Sequence, residues 1–168
     1  MGRRQVTTKH FAHAGETVVD PYHYTECGLD DIYLRSGYQR ETTPYGDGVS
    51  VRHVDELHDA IGQFLVTARK ELSGKEIRFL RKQMDLTQAE LGLLIGVSDQ
   101  QVARCEKEQS EMARSSDYLL RTIYLQHLKR ETRVVELVEA LRGLDAIRSG
   151  NAQFFLDAKK GWKPQLAA

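Results

Sequence analysis

Hydrophobic periodicity predicts a series of amphipathic helices through the middle of the chain. In the segment VDELHDAIGQFLVTA, which begins at Val54, apolar residues recur at three- and four-residue steps. The same spacing is found between Ile77 and Met84 and between Leu119 and Leu128. Apolar residues at this period lie on one face of a helix, and that face is the one that packs against a core.

The stretch TQAELGLLIGVSDQQVARCE predicts two short helices with a sharp break between them. Thr87 with Glu90, and Ser98 with Gln101, have the spacing of a capping box. In such a box the first side chain accepts from the backbone of the third helical residue, whose side chain reaches back. Gly96 is placed at the break, because glycine adopts the left-handed conformation that ends a helix at little cost. Two capped helices about one turn apart predict a helix-turn-helix.

A third pair with capping-box spacing, Ser73 and Glu76, predicts the start of the preceding helix. Four or five short helices at these intervals are typical of a compact all-α DNA-binding domain. We therefore expect a mainly α protein with a five-helix DNA-binding domain over residues 70–130.

Residues 1–17 are polar and lack periodicity, which predicts a flexible arm. The alternative is a basic arm that reaches into a DNA groove. From residue 18 to residue 51, aromatic and β-branched residues between glycine-rich turns predict two to four short strands. Together with the helix that begins at Val54, these strands predict a small β-containing module over residues 18–69, because so small a sheet rarely stands alone.

The C-terminal region, residues 131–168, is expected to extend the domain with a helix and a tail. An apolar stripe over residues 131–148 predicts the helix, which either closes the core or pairs with its twin in a homodimer. The tail is otherwise loose in pattern but contains Phe154, Phe155 and Trp162. Aromatic residues in such a segment indicate docking, on the chain itself or on a partner.

Composition narrows the possibilities only slightly. The formal net charge is zero, and the region from Ser73 to Arg133 has 11 Lys/Arg against nine Asp/Glu, so electrostatics favours nucleic acid only weakly. The two cysteines, Cys27 and Cys105, do not form a disulfide framework, which favours a reduced, cytoplasmic location. No apolar run approaches the ~18 residues of a membrane span. The first residues also lack the apolar segment of a signal peptide.

A 20-residue unit that begins at Gln88 resembles the Xre-type, lambda-repressor-like helix-turn-helix family. Gly92 stands at its fifth place, where two helices cross, and Gly96 at the ninth, where the chain turns. Val102 stands at the fifteenth place, which must be apolar. Two departures are Gly92, where the family usually has alanine, and Cys105, where it often has a larger residue.

The resemblance implies that the helix over residues 98–106 lies in the major groove, with its N-terminal residues against base edges. Glutamine can pair bidentately with adenine and arginine with guanine. The first residue of the preceding helix would hold a backbone phosphate, and Arg114 is a weaker phosphate candidate. The implied DNA-contacting residues are Gln88, Ser98, Asp99, Gln100, Gln101, Arg104 and Lys107.

Upstream, the chain is similar to the MqsA/YgiT-type antitoxin and regulator family. The similarity is carried by the runs TECGLDDIYL and YGDGVSV and by the helix that follows them. In that family an N-terminal zinc-bound module with paired Cys-x-x-Cys ligands precedes an Xre-type domain. Here only Cys27 is present, so the module is expected to be a degenerate zinc finger without its metal. That departure also bears on whether a toxin is still bound.

No metal, cofactor or catalytic activity is expected. His10, His13, His23 and Cys27 lie within 18 residues and are the alternative zinc ligands, but no second cysteine joins them. The sequence contains no recognisable Ser/His/Asp arrangement and no glycine-rich phosphate loop. It also has no pair of carboxylates in a recognisable catalytic motif.

The sequence therefore predicts a cytoplasmic transcriptional regulator that represses transcription and acts as a homodimer on a two-fold DNA operator. The alternative is an antitoxin that binds a small toxin and autoregulates its operon. A third reading is a helical scaffold that serves protein contacts alone.

Overall fold

The structure is a computed structural model, and it describes residues 8–11, 21–129, 134–144 and 150–165. The chain forms two compact units. The first comprises residues 1–60 together with 151–168, and the second comprises residues 61–150.

Two sheets make up most of the first unit. One is three-stranded, with the order β1-β5-β4, and the other is four-stranded, with the order β2-β3-β6-β7. All described strand pairs are antiparallel except β3 with β6. The strands are β1 (Thr8–Phe11), β2 (Tyr22–His23), β3 (Ile32–Leu34), β4 (Tyr38–Thr43), β5 (Gly46–Val51), β6 (Ala152–Asp157) and β7 (Gly161–Gln165).

The parallel pairing of β3 with β6 brings the C-terminal tail into the core of the first unit. Ile32 lies opposite Ala152 and Leu34 lies opposite Phe154, and all four residues are buried. In β7, Trp162 is buried and its Nε1 donates to the carbonyl of Arg52 at 3.2 Å. The tail aromatics therefore dock within the unit that contains the N-terminal strands.

The predicted fold class, a mainly α, five-helix lambda-repressor-like domain with a small β module and a helical C-terminal extension, is wrong. The described residues form two sheets beside the helices, so the protein is a mixed α/β fold. Among the described residues the last helix ends at Arg142, and the described part of the tail contains β6 and β7. The error has a physical cause, because β6 pairs with a strand more than a hundred residues away in sequence. Periodicity within a local window does not reveal such pairing.

The helices of the described ranges fall at the predicted places. They are α1 (Val54–Ala68), α2 (Gly74–Gln83), α3 (Gln88–Ile95), α4 (Asp99–Glu106), α5 (Arg114–His127) and α6 (Val134–Arg142). In the second unit their apolar faces form a core. Its fully buried side chains include Ile61, Leu65, Leu80, Leu91, Val102, Leu120 and Tyr124.

Two of the three predicted capping boxes are confirmed. The amide of Glu76 donates to Ser73 Oγ at 3.3 Å and the amide of Ser73 to Glu76 Oε2 at 2.7 Å. The corresponding distances between Glu90 and Thr87 are 3.2 and 2.7 Å. These contacts fix where α2 and α3 begin.

The third box is only half present. Ser98 Oγ accepts from the amide of Gln101 at 3.1 Å, but the side chain of Gln101 is directed elsewhere. Gly96 ends α3 with φ at 77°, in the left-handed region, as predicted. The helix-turn-helix geometry over residues 87–106 is thus formed locally.

Several sequence predictions fall on residues that the structure does not describe. The predicted flexible arm, residues 1–17, lies outside the described residues apart from β1. The predicted helix over residues 131–148 is described only from 134 to 144. Across the described ranges, no helix has the length and apolar character needed to cross a membrane.

Candidate nucleic-acid interface

Gly92 lies where α3 packs closely against the backbone of the turn that follows it. The amide of Val97 donates to the carbonyl of Gly92 at 2.9 Å. A methyl group at Gly92 would lie 2.6 Å from the carbonyl oxygen of Val97, which is closer than van der Waals contact allows. Glycine therefore permits a tighter turn here than alanine would.

The outer face of α4 presents a short row of exposed polar side chains. Gln100 and Arg104 are four residues apart and both are exposed, so they lie one helical turn from each other on the same face. Neither side chain makes a hydrogen bond to another described residue. The Oδ1 of Asp99, also exposed, accepts from the amide of Gln100 at 2.8 Å. Gln100 and Arg104 are therefore free to meet a ligand.

Ser98 and Lys107 mark the two ends of α4. Ser98 is the N-cap, and its hydroxyl oxygen accepts the capping hydrogen bond. Lys107 is the C-cap residue and its side chain is exposed. Both positions border the exposed row, where a hydroxyl and an ammonium can contact phosphates.

Gln101 is not brought together with the other predicted reading residues. It is half-buried, and its Nε2 donates to Ser110 Oγ at 3.0 Å and lies 3.6 Å from Cys105 Sγ. Gln101 precedes the buried Cys105 by four residues, so it sits on the flank of α4 that faces the loop after the helix. Its amide holds that loop in place.

Gln88 lies at the start of α3, as predicted, but its side chain has an intramolecular partner that the sequence does not reveal. Its Nε2 donates to Glu106 Oε2 at 2.9 Å. Glu106 is the last residue of α4, and its side chain is fully buried. The start of α3 and the end of α4 are therefore joined through this carboxylate.

Two arginines of α2 also bind Glu106. Arg81 donates from Nε to Oε1 at 2.5 Å and from Nη2 to Oε2 at 3.0 Å. Arg78 donates from Nε to Oε2 at 3.3 Å. The carboxylate thus accepts four hydrogen bonds, and it connects α2, α3 and α4.

The ionisation of Glu106 follows from these contacts. Burial by itself raises the pKa of the Glu106 carboxyl. Hydrogen bonds from Arg81 and Gln88 and the charge of Arg81 outweigh burial, so the pKa lies below its ordinary value. A sequence signal existed, because Glu106 follows the apolar Val102 by four residues and so shares its face. An acid on an apolar face indicates a buried ion pair.

No metal centre is formed by the described residues, in which no group of three or more His, Cys, Asp or Glu is arranged to hold an ion. His13 lies outside those residues. Burial raises the pKa of the Cys27 thiol to about 12, so at neutral pH the residue is protonated in this structure.

No protein-family model, no curated protein and no solved structure matches this chain. The resemblance to the Xre-type and MqsA/YgiT-type families therefore stays a prediction that depends on the motif residues.

Proposed function

We propose that the second unit binds double-stranded DNA through α4 and that the protein is a sequence-specific transcriptional regulator. The observation that supports this proposal is the exposed pair Gln100 and Arg104 on a short, capped helix that follows a left-handed turn at Gly96. Neither side chain contributes to folding through a hydrogen bond to a described residue. Exposed, unpartnered side chains on a rigid element are suited to contacts with another molecule.

The chemistry of the pair fits base edges in the major groove. Glutamine can donate to and accept from adenine N7 and N6, and arginine can donate twice to guanine, each worth about 1–3 kcal/mol of discrimination. One helical turn separates the two side chains, so they would read neighbouring base pairs. Ser98 and Lys107 would contact the backbone at the ends of α4.

A homodimer follows from the size of the reading element. Helix α4 has eight residues, and a single copy meets only a few base pairs. Two copies related by a two-fold axis would place two such helices in successive major grooves, about 34 Å apart. We therefore propose a two-fold operator and repression by occupancy of a promoter.

Selection of bound duplexes from a random library tests the proposal, with wild type and Arg104→Ala compared. Wild type should select a two-fold motif. Arg104→Ala should lose the preference at one position of each half-site and bind the wild-type motif about tenfold to 100-fold more weakly. Gln101→Ala should keep the motif, because that side chain faces Ser110.

The control is Arg142→Ala, which removes an exposed arginine from α6. It should leave the selected motif unchanged. The proposed reading role of α4 is wrong if Arg104→Ala selects the same motif as wild type. DNA binding itself is excluded if wild type binds no duplex at low salt.

A further inference from the structure

We propose that Arg78 on α2 contacts a phosphate of the DNA backbone beside Gln88, with the buried Glu106 holding both side chains in place. This inference rests on the proposed function and adds to it a contact from a third helix. Arg78, Gln88 and Glu106 would act together, as a phosphate clamp. The position of the two phosphate donors would then depend on the position of α4.

The exposure of Arg78 distinguishes it from its neighbour in the cluster. Both arginines bind Glu106, but the side chain of Arg78 is 45% exposed and that of Arg81 only 12%. Arg78 uses Nε for Glu106 and makes no other hydrogen bond within the described part of the chain. Its two terminal nitrogens remain as donors. Of the two guanidinium groups, that of Arg78 is the one that a ligand can reach.

Gln88 and Arg78 meet at a single atom. Both donate to Glu106 Oε2, at 2.9 and 3.3 Å. Because the two bonds end on one oxygen, the two nitrogens are at most about 6 Å apart. Side chains this close can reach the oxygens of one phosphate group, where an arginine contributes two charge-assisted donors. The amide of Gln88 still has one N–H and its oxygen to offer.

The charge of the cluster favours an anion. Glu106 is ionised at neutral pH, because its pKa lies below the ordinary value. Two guanidinium groups against one carboxylate leave a net positive charge. Arg81 donates to both carboxylate oxygens and to the carbonyl of Leu86 at 2.8 Å, so it is committed to the fold. The excess charge therefore lies with Arg78.

Glu106 would be a positioning residue. It belongs to α4, whereas the side chains it holds come from α2 and α3. Any shift of α4 along the groove would move this carboxylate, and with it the two phosphate donors. The reading helix and the backbone contacts would then engage DNA in one fixed register.

The salt dependence of binding separates a phosphate contact from a structural role. Each phosphate that a cation neutralises steepens the slope of log K against log salt by about 0.9 for double-stranded DNA. Binding of the full chain to the duplex selected by wild type is measured by fluorescence anisotropy over a series of KCl concentrations. Arg78→Ala should make the slope shallower by about 0.9 and reduce affinity about tenfold, equally for specific and random duplexes.

Three further variants sharpen the test. Arg78→Lys keeps the charge and should restore most of the slope. Gln88→Ala removes a neutral donor, so it should lower affinity and leave the slope unchanged. In the double variant Arg78→Ala/Gln88→Ala the loss should be smaller than the product of the single losses, because the two side chains share one phosphate.

Arg142→Ala is the matched control, and its slope should equal that of wild type. An unchanged slope for Arg78→Ala, in a variant with the unfolding curve of wild type, overturns the phosphate contact and leaves the reading role of α4 standing. Losses that multiply in the double variant overturn the shared clamp. Failure of wild type to bind any duplex overturns the proposed function and, with it, this inference.

Discussion

Replacement of Arg121 by methionine is expected to lower the free energy of unfolding by about 3–5 kcal/mol, the usual effect of removing one partner from a buried charged network. The side chain of Arg121 is fully buried in α5. Its Nη1 donates to the carbonyls of Val66 and Arg69 at 3.1 and 2.7 Å, at the C-terminal end of α1. Its Nε lies 3.0 Å from Asp117 Oδ2.

The physical reason is that methionine fills the space but satisfies none of these acceptors. Carbonyls at the end of a helix have no partner within the helix, so Arg121 serves as the cap of α1. Without it, the carbonyls of Val66 and Arg69 would lose this donor and the largely buried carboxylate of Asp117 would lose its counter-ion, at the cost of unrecovered solvation. The stability of Arg121→Lys should lie between those of wild type and Arg121→Met, because the lysine keeps the charge but its ammonium cannot reach the same set of acceptors.

The dependence of this effect on pH provides a second signature. Burial raises the pKa of Asp117 above its ordinary value, although the charge of Arg121 opposes it. Loss of Arg121 should raise the pKa further. A raised pKa means that folding favours the protonated acid. The free energy of unfolding that Arg121→Met loses relative to wild type should therefore be larger at pH 7 than near the ordinary pKa of aspartate, about 4.

Urea unfolding followed by circular dichroism at several pH values measures both effects. Gln126→Ala, which changes an exposed residue of the same helix, should stay within about 0.5 kcal/mol of wild type. If Arg121→Met unfolds at the same urea concentration as wild type, the contacts of Arg121 do not stabilise the fold.

The features that the sequence predicted well are those that depend on neighbours within four residues. The box formed by Ser73 with Glu76, the box formed by Thr87 with Glu90 and the left-handed Gly96 are set by backbone geometry close in the chain. Such features can be predicted from the local sequence alone, without knowledge of the tertiary structure. The helix-turn-helix geometry was predictable for the same reason.

The features that the sequence did not predict depend on residues far away in the chain. Strand β6 is stabilised by β3, and nothing in the segment AQFFLD indicates that partner. Gln101 was assigned to the outer face because a helical repeat gives only its angle about the axis. The acceptor at Ser110, on the loop after the helix, decides where its amide points. The place of Glu106 on the face of Val102 indicates that it is buried, but the sequence does not reveal its partners, which lie on α2 and α3.

Glu106→Gln is expected to lower the free energy of unfolding by about 3 kcal/mol at neutral pH. The glutamine has the shape of the glutamate but no charge, so the guanidinium of Arg81, only 12% exposed, would lose its counter-ion. One of the two carboxylate oxygens would be replaced by an NH2 group, which would face the donors of Arg81, Arg78 or Gln88. The buried cluster would then contain two donors directed at each other, with no acceptor between them.

The same substitution should remove part of the acid sensitivity of wild type. The pKa of Glu106 is lower in the folded protein than its ordinary value, so this group stabilises the fold above the unfolded pKa, about 4.3. That stabilisation is lost as the pH falls through the folded pKa. The difference in unfolding free energy between wild type and Glu106→Gln should therefore be constant at neutral pH and shrink as the pH falls below the unfolded pKa.

The control is Glu111→Gln, at an exposed position in the loop after α4. Its free energy of unfolding should stay within about 0.5 kcal/mol of that of wild type at neutral pH. A difference that remains constant down to the lowest pH at which wild type is folded would show that the ionised carboxylate of Glu106 does not stabilise the junction of α2, α3 and α4.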